Sequence, residues 1–177
     1  MSYSRQLDDH VRTPTDRSLP EALMSDTFRI TRSLTVDAPP DAVLPYLTDF
    51  RQWVHWSPWE GVNPDMAREY SGAESGVGAK YAWSGNRKAG RGAMEITRVD
   101  EPREVEVRLE FEKPMKTTNT VTFELVPQGQ ATRVSWTMVG AQTMFSRVAG
   151  FFGIFDRMLG KDFEKGLSQL KAVTESR

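Results

Sequence analysis

From Ala79 to Ala141 the chain alternates apolar and polar residues in at least five successive runs, and from Met144 onward it turns to a helical period. A period of two makes strands with one buried face, and a period of 3.6 makes a helix with one buried stripe. The two apolar surfaces must be laid against each other, which restricts the fold to a curved sheet closed by one long helix. The cleanest run is Glu104–Phe111, where Val105, Val107, Leu109 and Phe111 oppose Glu104, Glu106, Arg108 and Glu110. Strands are likewise predicted at Ala79–Ser84, Ala89–Val99, Thr117–Val126 and Thr132–Val139, separated by Gly-, Asn- and Pro-containing turns.

Upstream, Thr27–Val36 reads as a first strand, with Arg32 breaking its alternation. Asp41–Thr48 and Asp49–Ser57 read as two short helices, the first interrupted by Pro45 and the second stopped by Pro58. Glu60–Gly78 reads mainly as connection, with one short strand near Arg68–Ser71. At about 100° per residue, Phe145, Val148, Phe152, Phe155, Leu159, Phe163, Leu170 and Val173 share one arc of the last helix, with Gly166 inside it. Phe151, Ile154 and Met158 form an adjacent stripe, available for loop packing or a homodimer contact.

Composition removes several classes of function. A formal net charge of -1 argues against a nucleic-acid partner. The absence of cysteine excludes thiol chemistry and disulfides, and two histidines cannot build a multi-histidine metal site. No run of about 18 apolar residues occurs, so stable membrane insertion is not expected. Residues 1–26 are polar, with neither an apolar run nor a hydrophobic period. They read as a disordered tail without a signal peptide, and Met24 offers an alternative start. Residues 27–177 then form one domain, with a cytoplasmic location expected.

The stretch "DAPPDAVLPYLTDFRQWVHWSPW", the segments "YSGAESGVGAKYAWSGN" and "TRVSWTMVG", and the terminal "GKDFEKGLSQLKA" resemble the SRPBCC superfamily. That superfamily includes START-like, Bet v 1-like and polyketide cyclase/dehydrase-type proteins. The resemblance spans Phe28 to Val173 and implies an α+β helix-grip fold, with a curved antiparallel sheet wrapped around the C-terminal helix. It also implies a cavity between the sheet and the C-terminal helix for a small apolar or aromatic molecule.

The residues expected to line that cavity are Tyr81, Trp83, Met94, Asn119 and Trp136 from the strands, and Phe155, Leu159 and Gly166 from the helix. Tyr81, Trp83, Asn119 and Trp136 place polar atoms on apolar faces, where they need partners or orient a ligand. Gly166 is read as opening the helix onto the cavity, against the alternative of close approach to Trp83 or Trp136. Phe50, Trp53, Trp56 and Trp59 read as packing rather than an entrance lip. His55 falls on the solvent side, and Gly72, Gly76 and Gly78 read as a turn rather than a phosphate loop. No catalytic or metal-ligating set is read from the residues, and no cofactor is expected. The expected function is non-catalytic binding or carriage of the ligand. The alternatives are a polyketide cyclase/dehydratase-like enzyme and a quinone-binding, chaperone-like interaction module.

Overall fold

The computed structural model describes residues 27–141 and 151–176, with backbone alone for 151–155. Strand β1 (Thr27–Val36) is followed by helix α1 (Pro40–Thr48) and a 3-10 helix (Phe50–His55). Then come β2 (Ala67–Gly72), β3 (Ala79–Ser84), β4 (Arg91–Asp100), β5 (Glu104–Lys113), β6 (Thr117–Gln128), β7 (Ala131–Ala141) and α2 (Phe151–Glu175). All pairings are antiparallel, in the order β1-β7-β6-β5-β4-β3-β2. This is the helix-grip arrangement.

The period-two face is buried as its alternation requires. Val105, Val107, Leu109, Val121, Phe123, Val134 and Trp136 are all inside. Charged residues between them stay on the outer face, where Arg108 pairs with Glu95 and Glu110. Arg91 pairs with Glu112, and Glu95 with Lys80 and Arg108.

The cover over that face is divided, contrary to the expectation of a single helix. Helix α2 packs chiefly along β1, with lesser contact to β7, α1 and the 3-10 helix. Over the middle strands the cover is aromatic. Trp53 and Trp56 each meet Phe123 edge-on, Trp56 and Trp59 meet Trp136, and Trp136 stacks on Phe163 at 4.3 Å. Trp53 and Trp56 donate their indole N–H groups to the carbonyls of Leu47 and Tyr46, which ties the 3-10 helix to α1. The Asp49 side chain caps the 3-10 helix by accepting from the Arg51 N–H at 2.8 Å. His55 is exposed.

Arg32 interrupts the β1 pattern because it points inward, at α2. Its guanidinium lies against Gly160, where any side chain would collide with it, and it pairs with Asp156 and Glu164 one turn to either side. At the far end Lys171 reaches the Thr35 carbonyl and Asp37, and the Glu175 carboxylate accepts from the Asp37 N–H. These contacts fix the height of α2 along β1. The predicted stretch 144–150 of the last helix, the tail 1–26, and the side chains of Phe151, Ile154 and Phe155 lie outside the described residues. Met158, the remaining member of the second stripe, is exposed.

Candidate functional site

Strand register brings three of the predicted residues into one row on the inner face. Tyr81 faces Met94, Met94 faces Leu109, Leu109 faces Asn119, and Asn119 faces Gly140. At about 4.8 Å per strand, Tyr81 and Asn119 stand roughly 14 Å apart with two apolar side chains between them. One row nearer the β3–β4 turn, Arg68 faces Trp83, Trp83 faces Gly92, and Gly92 faces Phe111. A Cβ at Gly92 would sit 2.5 Å from the Trp83 ring, so this glycine lets the indole lie down against the sheet. Phe111 then meets Trp83 edge-on at 5.7 Å. Trp83, Met94 and Phe111 are half-buried, whereas Tyr81, Leu109 and Asn119 are buried.

The polar atoms of these rows are held in place. The Trp83 N–H donates to the Ala89 carbonyl. The Asn119 amide lies directly over Gly140, where any side chain would collide with its oxygen. The Tyr81 hydroxyl donates to Glu60 Oε1 at 2.9 Å, and Arg68 Nε donates to Glu60 Oε2 at 2.7 Å. The other arms of Arg68 reach the carbonyls of Met66 and Glu60. The Glu60 carboxylate is 9% exposed and the Arg68 guanidinium 25% exposed, so the pair is largely withdrawn from water. Burial, then the neighbouring Glu60 charge, raises the Tyr81 pKa far above the ordinary tyrosine value and keeps the phenol protonated. The hydrogen bond to Glu60 in turn raises the Arg68 pKa. Tyr70 stacks on Tyr81 at 5.2 Å, Tyr81 on Trp83 at 6.0 Å, and Arg51 sits over Tyr70.

Glu60 and Arg68 were not among the residues singled out from sequence, and they supply the charged part of the site.

The remaining predicted residues are elsewhere. Trp136 lies in the aromatic core, two rows from Tyr81, ringed by Trp56, Trp59, Phe123 and Phe163. Its buried N–H has no hydrogen-bond partner. The expectation that Gly166 opens onto a cavity is corrected. A Cβ there would lie 2.7 Å from Trp136 Cζ3 and 2.9 Å from Pro58 Cδ, so the glycine serves close approach of helix to sheet. Leu159 is half-buried against the core, and the Phe155 side chain is outside the described residues.

Two depressions border residues of these rows. One of about 230 Å³ is lined by Tyr81, Met94, Ala82 and Ala93 with Ser71, Lys80, Glu95, Arg108 and Glu110. Another of about 520 Å³ lies at the β5–β6 hairpin beside Glu112 and Lys116. Among the described residues no three His, Cys, Asp or Glu side chains gather as a metal site. No helix among them is long and apolar enough to cross a membrane.

Residues 27–175 match the model of a family described as polyketide cyclase / dehydrase and lipid transport. The chain belongs to that family. Its SRPBCC-type, helix-grip fold is a ligand-binding fold, shared by many solved structures. The protein XoxI from Bacillus cereus is 13% identical with a TM-score of 0.59, covering 82% of this chain and 94% of its own. Protein CV1439 from Chromobacterium violaceum is 16% identical with a TM-score of 0.57, covering 85% and 97%. The Aha1 dimer from Colwellia psychrerythraea is 16% identical with a TM-score of 0.53, covering 81% and 96%. These likenesses concern the fold alone. No curated protein matches the chain by sequence.

Proposed function

We propose that this family member binds and carries a small hydrophobic or aromatic molecule on the inner face of β3–β6, without transforming it. The observation that carries this reading is the half-buried surface of Trp83, Met94 and Phe111, lying on the part of the sheet away from α2. Three such side chains on one inner face, flanked by the tyrosine hydroxyl and the Asn119 amide, match the usual make-up of a small-molecule site. Rings of a ligand gain most by stacking with Trp83 and Phe111, at about 0.5–1.5 kcal/mol per aromatic pair beyond the burial itself.

A cyclase or dehydratase needs an inward group free to take or give a proton. The nearest groups are Glu60 and Tyr81. Both oxygens of Glu60 are already engaged, and the Tyr81 proton is committed to Glu60. Carriage is therefore favoured over proton transfer.

The test is titration with the neutral fluorescent probe N-phenyl-1-naphthylamine. One saturable site is expected, weakened about tenfold (~1.4 kcal/mol) by Trp83→Ala or Phe111→Ala. Val126→Ala, at an exposed position, should leave it unchanged. Failure to saturate, or equal binding by all variants, would refute the reading. Native mass spectrometry of protein from its own host then identifies the cargo.

A further inference from the structure

We propose that Tyr81 acts as a one-way hydrogen-bond acceptor that selects apolar ligands carrying an O–H or N–H donor at one end. The inference rests on the inner-face binding reading above and adds the ligand's polar chemistry.

A phenol hydroxyl has one proton and two lone pairs, so it normally serves as donor and acceptor alike. Here the choice is removed. Glu60 Oε1 receives the Tyr81 proton at 2.9 Å. Arg68 donates to the second oxygen of the Glu60 carboxylate at 2.7 Å. A carboxylate offers no proton in return, so the Tyr81 oxygen keeps only its lone pairs for any further partner. Charge assistance from Glu60 strengthens that oxygen as an acceptor. The raised pKa of Tyr81 agrees with a phenol that stays protonated.

A ligand carbonyl or ether oxygen brought to Tyr81 would meet lone pairs and lose its water without compensation. A carboxylate would also face the Glu60 charge. Arg68 does not offset this, since it is already paired with Glu60 and spends further N–H groups on the carbonyls of Met66 and Glu60. Beside Tyr81 the half-buried Trp83, Met94 and Phe111 supply the apolar surface, so the ligand is an apolar body with a hydroxyl or amine at the Tyr81 end.

The test compares three probes of one ring system, 2-naphthol, 2-methoxynaphthalene and 2-naphthoate, by calorimetric titration of the full chain. Hydrophobicity alone favours the methyl ether over the naphthol. The proposal expects the reverse, with 2-naphthol tighter by about tenfold or more, as sites built around a hydrogen bond discriminate. In Glu60→Gln the Tyr81 proton is no longer drawn to a carboxylate, and the preference should fall below about threefold. Tyr81→Phe keeps the ring and should abolish the preference while retaining the ether. If either variant fails to fold, the wild-type comparison and the other variant still decide. Equal binding of naphthol and ether, or tightest binding of 2-naphthoate, overturns the acceptor assignment but leaves inner-face binding standing. Saturable binding by none of the three probes refutes both.

Discussion

Replacing Gly166 by alanine sets two effects against each other on one residue. Alanine is the better helix former by about 1 kcal/mol, so on a free helix face the change would stabilise. In this molecule the added methyl lies 2.7 Å from Trp136 Cζ3, 2.9 Å from Pro58 Cδ and 3.3 Å from Pro58 Cγ. Contact between carbons is favourable near 3.5–4.0 Å, so one neighbour must retreat by roughly 1 Å. Trp136 has little freedom to do so. It is stacked on Phe163 at 4.3 Å and met by Phe123, Trp59 and Trp56 at 5.1, 5.5 and 5.6 Å. Pro58 has a ring-locked backbone and is itself buried. Overpacking of this kind costs about 1–3 kcal/mol, and subtracting the helical gain leaves a net loss of about 0–2 kcal/mol. For a chain of this size the Tm falls by about 2–4 °C per kcal/mol. The assay is a thermal melt of Gly166→Ala beside Ser168→Ala, an exposed position on the same helix. The second variant reports helix propensity without the clash and should hold or gain slightly. A rise in Tm for Gly166→Ala, matching or exceeding that control, would show that Trp136 yields and refute close packing at this position.

Alkaline pH probes the Tyr81–Glu60 bond. Tyr81 ionises later in the folded chain than in the unfolded one, so its contribution to stability is complete below about pH 10 and declines as pH rises toward the folded value. The Tm gap between wild type and Tyr81→Phe should therefore narrow above about pH 10, and a gap constant with pH would refute the linkage. Arg32 and Asp156 are both solvent-accessible to a degree, and a double-mutant cycle with Arg32→Met and Asp156→Asn should give a coupling of under about 1 kcal/mol. It should shrink further in high salt, and a coupling above about 2 kcal/mol would show the pair to be more than a surface clamp.

Much of the sheet was legible because its signal is local. The alternation of Val105, Val107, Leu109 and Phe111 against Glu104, Glu106, Arg108 and Glu110 needs no partner strand to be read. The same holds for β1, where even Arg32, the apparent exception, keeps the parity of the inner face. What that residue lacked in the sequence was its destination, since Gly160, Asp156 and Glu164 lie more than a hundred positions away. Gly166 shows the complementary limit. Its helical angle correctly turned it toward the sheet. Whether an inward glycine meets a void or a ring depends on the height of the helix against β7, and that height is set by the Arg32 and Lys171 contacts with α2.

The charged half of the candidate site was missed for a traceable reason. Glu60 and Arg68 fall in a stretch without clear period, read mainly as connection, and their meeting with Tyr81 is a tertiary event. Yet one signal was available. If Arg68–Ser71 is taken as a strand beside Ala79–Ser84, then Arg68 and Tyr70 share a face, and pairing them with Trp83 and Tyr81 turns that face inward. An inward arginine cannot stand unpaired, because burying a lone guanidinium costs several kcal/mol. A counter-charge must then come from a nearby segment able to fold over the sheet. Among the acidic residues of the loop entering β2, Glu60 is the one beside Trp59, whose ring already anchors the loop to Trp136 and Phe163. Parity and charge balance together lead to the Glu60–Arg68–Tyr81 group, which apolar periodicity alone passes over.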